Sequence, residues 1–154
     1  MIRPREGDFV YSDKEIGLMK EEILFCKTMN ISGVVFGVLK KDNTVDLKMT
    51  RILSEASSDL EVTFHKAIDQ VDSIYNELDK LKSIHAISSI LTSGGAESAI
   101  KGKGRLKELL DRYAEFFTII PAGKITHKNI DQIHELIGAR EYHGRKIVEN
   151  LNLN

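Results

Sequence analysis

His65 closes an apolar run, Leu60-Glu61-Val62-Thr63-Phe64-His65, and Lys66 and Asp69 follow at once. An imidazole and a carboxylate at the end of a strand-like segment can pass a proton near neutral pH, and the imidazole can also ligate a metal. Arg3 and Arg5 flank Pro4, each offering a planar fork of donors that suits a carboxylate or a phosphate. The proline keeps that stretch extended. Ser93-Gly94-Gly95 is a turn whose missing side chains let backbone N–H groups approach an anion. Gly123, in Pro121-Ala122-Gly123-Lys124, and Gly144, in His143-Gly144-Arg145-Lys146, sit in similar turns, each followed by a cation. His65 and Asp69 are therefore the candidates for proton transfer. Arg3, Arg5, Ser93, Gly94, Gly95, Gly123 and Gly144 are the candidates for anion binding.

Each assignment has a structural alternative. His65 could be hydrogen-bonded to a neighbouring loop, an arginine could pair with Asp8 or Asp69, and Lys124 and Arg145 could be surface charges. Cys26 and Met29 stand one helical turn apart and carry the soft sulfur that Cu(I) favours. Cys26 also continues the stripe Ile16, Met19, Ile23, the pattern of a buried core thiol. His85, His127 and His134 show no H-x-x-x-H spacing and have no cysteine partner, so packing or surface roles suit them better.

Positioning these groups requires strands. Short β-branched, apolar runs predict strands at 1–3, 33–39, 60–65, 88–92, 117–120 and 140–142, apolar on both faces as buried parallel strands are. Helical periodicity fills the intervals: Val45, Met49, Ile52, Leu53 and Ala56, then Ile74, Leu78 and Leu81. Leu106, Leu109, Leu110 and Tyr113 follow, with a helix expected from near Glu97, and then Ile130, Ile133 and Ile137. Asp13, Asp46, Asp72 and Thr126 stand where N-caps are expected. Parallel strands that all end in polar turns gather their functional groups at one end of the sheet, the end at which (β/α) barrels carry their sites.

Composition narrows the class. At 154 residues the chain predicts one domain, 1–154, with a sizeable core. A net charge of −1 argues against a nucleic-acid or anionic-membrane partner. Cys26 is the only cysteine, which favours a reducing compartment, and neither a signal-like nor a membrane-spanning run is present. The expectation is a soluble, cytoplasmic protein. An open nucleotide-binding sheet would want G-x-G-x-x-G or a P-loop, and neither occurs. A closed eight-stranded barrel takes about 250 residues, and about 200 at the low end. The expected fold is thus an α/β, TIM-type (β/α) barrel left incomplete, with about six of eight strand–helix units. Unpaired edges at 1–3 and 140–142 would favour homo-oligomers.

Five blocks carry a resemblance: Ile2-Arg3-Pro4-Arg5 with Gly7-Asp8-Phe9 and Tyr11-Ser12; Gly33-Val34-Val35-Phe36-Gly37-Val38-Leu39; Glu61 to Asp69; Leu91-Thr92-Ser93-Gly94-Gly95-Ala96; and Arg140-Glu141-Tyr142-His143-Gly144. In this order they resemble the CutC family of copper homeostasis proteins. The resemblance implies a TIM-type barrel whose first two strand–helix units are missing here. It implies a role in cytoplasmic copper handling, with a copper ion as ligand. Lys66, Ile68, Ala122 and Arg145 depart from the family pattern. The residues alone leave a second reading open: a barrel enzyme acting on a small phosphate- or carboxylate-bearing metabolite, with Arg3 and Arg5 as anion clamp and His65 and Asp69 as acid and base.

Overall fold

Parallel neighbours cannot be joined by a hairpin, so each pair needs a crossover, and here most crossovers are helical. The computed structural model describes residues 1–148. Helix α1 (Asp13–Thr28) leads into β1 (Gly33–Phe36); α2 (Leu47–Ala56) connects to β2 (Glu61–Phe64). A 3₁₀ turn (Lys66–Gln70) and α3 (Ile74–Leu81) lead to β3 (Ile87–Thr92), α4 (Lys103–Tyr113) to β4 (Thr118–Pro121), and α5 (Ile130–Ile137) follows. The four strands run parallel in the order β1-β2-β3-β4. Ser88 is an extra residue between the pairs Val62–Ile87 and Thr63–Ser89. The architecture is α/β, as expected, and among the described residues the sheet is an open arc.

Strand parity separates its two faces. Val34, Phe36, Val62, Phe64, Ile90 and Ile119 are buried and form one core with Met19, Ile23, Leu53, Leu78, Leu106 and Ile133 from the helices. On the opposite, inner face, Val35, Thr63, Ser89, Thr118 and Ile120 are only half-buried and Glu61 is exposed. Helix α1 bears a second apolar stripe, Leu18, Phe25 and Met29, which is exposed. None of the helices among the described residues is long and apolar enough to cross a membrane.

Among the described residues four strands form rather than six. Residues 1–3 lie beside β1, but only the Ile2 amide bonds to the Val35 carbonyl, at 2.8 Å. Pro4 has no N–H with which to extend that ladder. Residues 140–142 form no strand, because Gly138 (φ 74°) ends α5 and the Tyr142 hydroxyl accepts the Ala139 amide at 2.8 Å, folding the segment into a turn. Bridges reach β4 and the turn after it only from His143 and Lys146.

The helix expected from Glu97 starts at Lys103. Gly102 approaches the Ser93 carbonyl so closely that a Cβ there would lie 1.9 Å from it. The caps move by one to three residues. Ser12, in a reciprocal capping box with Glu15, replaces Asp13, and Ser73 replaces Asp72. Asn129 precedes α5, its side chain bound to the Thr126 amide. Asp46 caps α2 as expected.

Glu77 ties two crossovers together. Only 4 % exposed, its carboxylate accepts the Val45 amide at 2.9 Å and the Lys80 ammonium at 2.6 Å. Glu77→Ala strands a buried N–H and is expected to lower unfolding free energy in urea by about 2 kcal/mol, with Glu77→Gln costing less because its amide oxygen still accepts from Val45.

Candidate functional site

The strand ends converge on Asp69. Its Oδ1 accepts from Thr92 Oγ1 (2.5 Å), the Ser93 amide (3.1 Å) and the Gly95 amide (2.8 Å). Its Oδ2 meets the Ser93 amide and hydroxyl (both 2.9 Å) and Lys66 Nζ (3.0 Å). A carboxylate offers about four lone-pair directions, so these contacts saturate it. The amides of Ser93 and Gly95, candidates for an external anion, thus already hold an internal one. Gly94 (φ 71°) and Gly95 (φ 68°) supply the left-handed backbone that curls both amides toward the carboxylate. Lys66 also donates to Ser93 Oγ at 2.6 Å, and the ends of β2 and β3 become one unit.

His65 lies on the inner face one residue beyond β2 and is 3 % exposed. Its amide bonds to the Phe36 carbonyl, and its Nδ1 accepts the Ala67 amide at 3.2 Å, opening the 3₁₀ turn. Accepting at Nδ1 places the proton of the neutral ring on Nε2. That Nε2 is buried without a partner. Gly37 makes room for the ring, since a Cβ there would sit 2.6 Å from Nδ1. Burial first, helped by the charge of Arg3, pushes the His65 pKa down to about 4.

The two arginines separate. All five N–H donors of Arg5 are matched: Nε to Glu15, Nη1 to the Glu6 and Asp8 carbonyls, and Nη2 to Asp8 Oδ1 and the Val10 carbonyl. Arg5 clamps the loop before α1 and stacks over Tyr11, 5.2 Å from the ring centre. Hydrogen bonds from Ser12 and Arg5 together hold the Glu15 carboxyl down at about 2. Arg3 faces elsewhere. Its Nη2 donates to the Gly7 carbonyl at 2.7 Å, its plane lies 4.7 Å from the Phe9 ring centre, and its Nε is buried and unpartnered. Phe9 also packs on His65, at 4.7 Å between ring centres. The buried Tyr11 hydroxyl is a third polar atom without a partner, its pKa raised by burial against the charge of Arg3.

The remaining glycines serve close packing. Gly123 (φ 103°) accepts the Ala99 amide and lies against Ser93, while a Cβ at Gly144 would fall 2.1 Å from the Ile125 carbonyl. Lys124 pairs with Glu97. Among the described residues no three His, Cys, Asp or Glu side chains gather as a metal set. Cys26 is half-buried against the core, and it lines a depression of about 520 Å³ with Met1, Glu21 and Glu22. Phe9, Tyr11 and Gly37 were absent from the candidate set on sequence. For Gly37 the available signal was a glycine inside a β-branched run, which marks a close approach.

The His65 pKa sets a pH dependence. Its folded value, about 4, lies below the ordinary 6.5, so protonation favours the unfolded chain. The stabilisation is complete above about pH 6.5, is lost as pH falls toward 4, and amounts to about 3 kcal/mol. Urea midpoints measured between pH 7 and pH 4 should fall, and His65→Asn should flatten that part of the profile. Asp69→Ala should cost about 3 kcal/mol or more in the same assay at pH 7, because it leaves the buried Ser93 N–H, the buried Thr92 hydroxyl and Lys66 without their acceptor.

With this geometry in hand, the chain can be set beside known proteins. The CutC family model matches residues 1–148. The copper homeostasis protein cutC homolog of Mus musculus is 39% identical over 143 residues, 93% of this chain and 52% of that protein. A family protein CutC of Parabacteroides distasonis is 38% identical over 93% of this chain and 58% of its own length. The chain spans about half the length of the curated relatives it matches. The crystal structure of a CutC protein from Streptococcus agalactiae superposes with a TM-score of 0.89 at 29% identity, covering 96% of this chain and 71% of that one. A match that runs from the Ile2–Arg3 segment through β4 and on to residue 148 includes every strand end described above: the chain belongs to the CutC family.

Proposed function

We propose that this protein acts in copper homeostasis, handling copper ions in the cytoplasm. The observation that carries the reading is the family match over residues 1–148, together with relatives named for copper homeostasis. The sulfur atoms it would use surround one end of α1. Cys26 is half-buried there, Met1 shares its depression, and Met29 stands exposed one turn further on. Thiolate and thioether together are the soft set that favours Cu(I) over harder cations. The exposed α1 stripe and the bare inner sheet face support a second element of the proposal, association between copies, since apolar surface and open strand edges are costly to leave in water.

Anaerobic titration of the purified chain with Cu(I) against a competing chelator tests the copper reading. One equivalent should be captured, and Cys26→Ser should abolish capture; no competition with the chelator would defeat the reading. Sedimentation at increasing concentration should show species larger than a monomer, and Phe25→Glu should shift them back.

A further inference from the structure

Three buried polar atoms near the strand ends lack a partner, and all three are able to donate: Arg3 Nε, Tyr11 Oη and His65 Nε2. Their arrangement follows from the fold. Arg3 follows Ile2, whose amide is bound to Val35 on β1, so it sits beside that strand. Val35 and Gly37 share the inner face, and the His65 ring lies directly over Gly37, where a Cβ would sit 2.6 Å from Nδ1. The Phe9 ring touches both the Arg3 guanidinium and the His65 imidazole at 4.7 Å. Tyr11 stands beside the same guanidinium, whose charge and N–H donors both act on its hydroxyl.

Buried donors without acceptors are costly, about 1–3 kcal/mol each, and a fold does not ordinarily gather several in one place. The Tyr11 oxygen can serve the neighbouring Arg3, but the His65 Nε2–H and the Tyr11 O–H are left without an acceptor. The charges say which kind. Arg5 is neutralised by Asp8 and Glu15, Lys66 is paired with Asp69, and His65 is neutral. Arg3 is thus the one guanidinium of the group with no carboxylate partner among the described residues. Among the side chains, one uncompensated guanidinium with neutral N–H and O–H donors around it matches a small anion with several acceptor lone pairs, a monocarboxylate first of all.

We infer that Arg3, Tyr11 and His65 form a binding site for a small monocarboxylate, entered from the half-exposed inner face of the sheet. Its carboxylate accepts from Arg3 Nε, His65 Nε2 and Tyr11 Oη, and the Phe9 ring walls one side. Saturated Asp69 and Arg5 stand outside it and hold its frame. The site is separate from the sulfur atoms around Cys26, so it stands or falls apart from the copper proposal.

Isothermal titration of the full chain at pH 7 with acetate, propionate, benzoate and inorganic phosphate tests this. At least one carboxylate should bind, and phosphate should bind more weakly. Tyr11→Phe keeps the ring and its packing under Arg5, and Arg3→Gln removes the charge. Each should weaken carboxylate binding by about tenfold or more, the scale of one hydrogen bond to a charged group. Where Arg3→Gln fails to fold, Tyr11→Phe decides alone. Phosphate preferred over every carboxylate would overturn the ligand class. No binding, or binding unchanged by Tyr11→Phe, would overturn the site; Cu(I) capture by the same sample would be unaffected in either case.

Discussion

The Asp69 carboxylate is the contact on which the strand-end architecture depends. It receives two backbone amides, two hydroxyls and one ammonium, and these come from β2's own turn and from the end of β3. Without it the Ser93–Gly95 turn would hold two left-handed glycines with nothing to point at. With it the turn is rigid, Gly102 can approach the Ser93 carbonyl, and α4 begins where it does. The 3₁₀ turn that carries Asp69 is opened by His65 through the Ala67 amide. The carboxylate that ties this turn to β3 therefore also steadies the imidazole that opens it, with its Nε2 left free.

One-sided coverage of the sheet sets the rest. Helices bury one face completely, and the fully buried Val62 and Phe64 alternate with half-exposed Thr63 along β2. The inner face carries the mixed polar and apolar residues that a closed sheet would enclose. Its chemistry lies at the carboxyl ends of the strands, where the backbone stops consuming its own donors and side chains take over. Glu77 plays the matching role on the helical side, joining the β1–α2 loop to α3.

Much of this was legible in the sequence, and the reasons for success and failure are local. β2, β3 and β4 were readable because β-branched runs of the right length stood between helical stripes. The strands expected at 1–3 and 140–142 do not form, since pairing needs a neighbour and a donor, and neither Pro4 nor the Tyr142 turn offers one. Parity puts His65 on one face with Glu61 and Thr63, and the half-buried Thr63 marks that face as the inner one. Parity could not place Asp69, whose partners other than Lys66 lie more than twenty residues away, around a turn whose curl depends on two positive φ angles. Arg3 and Arg5, alike on paper and two residues apart, diverge because Glu15 on α1 captures one of them and nothing captures the other's Nε.

The chemistry of the strand ends rests on a neutral, buried His65 that offers a free Nε2–H. Long-range ¹H–¹⁵N correlation spectra of the imidazoles, recorded from pH 8 to pH 5, measure that directly. The account predicts one histidine locked in the Nε2–H tautomer, unprotonated throughout because its pKa is about 4, and assigned to His65 by its absence from His65→Asn. A His65 that titrates near 6.5, or that carries its proton on Nδ1, would contradict it.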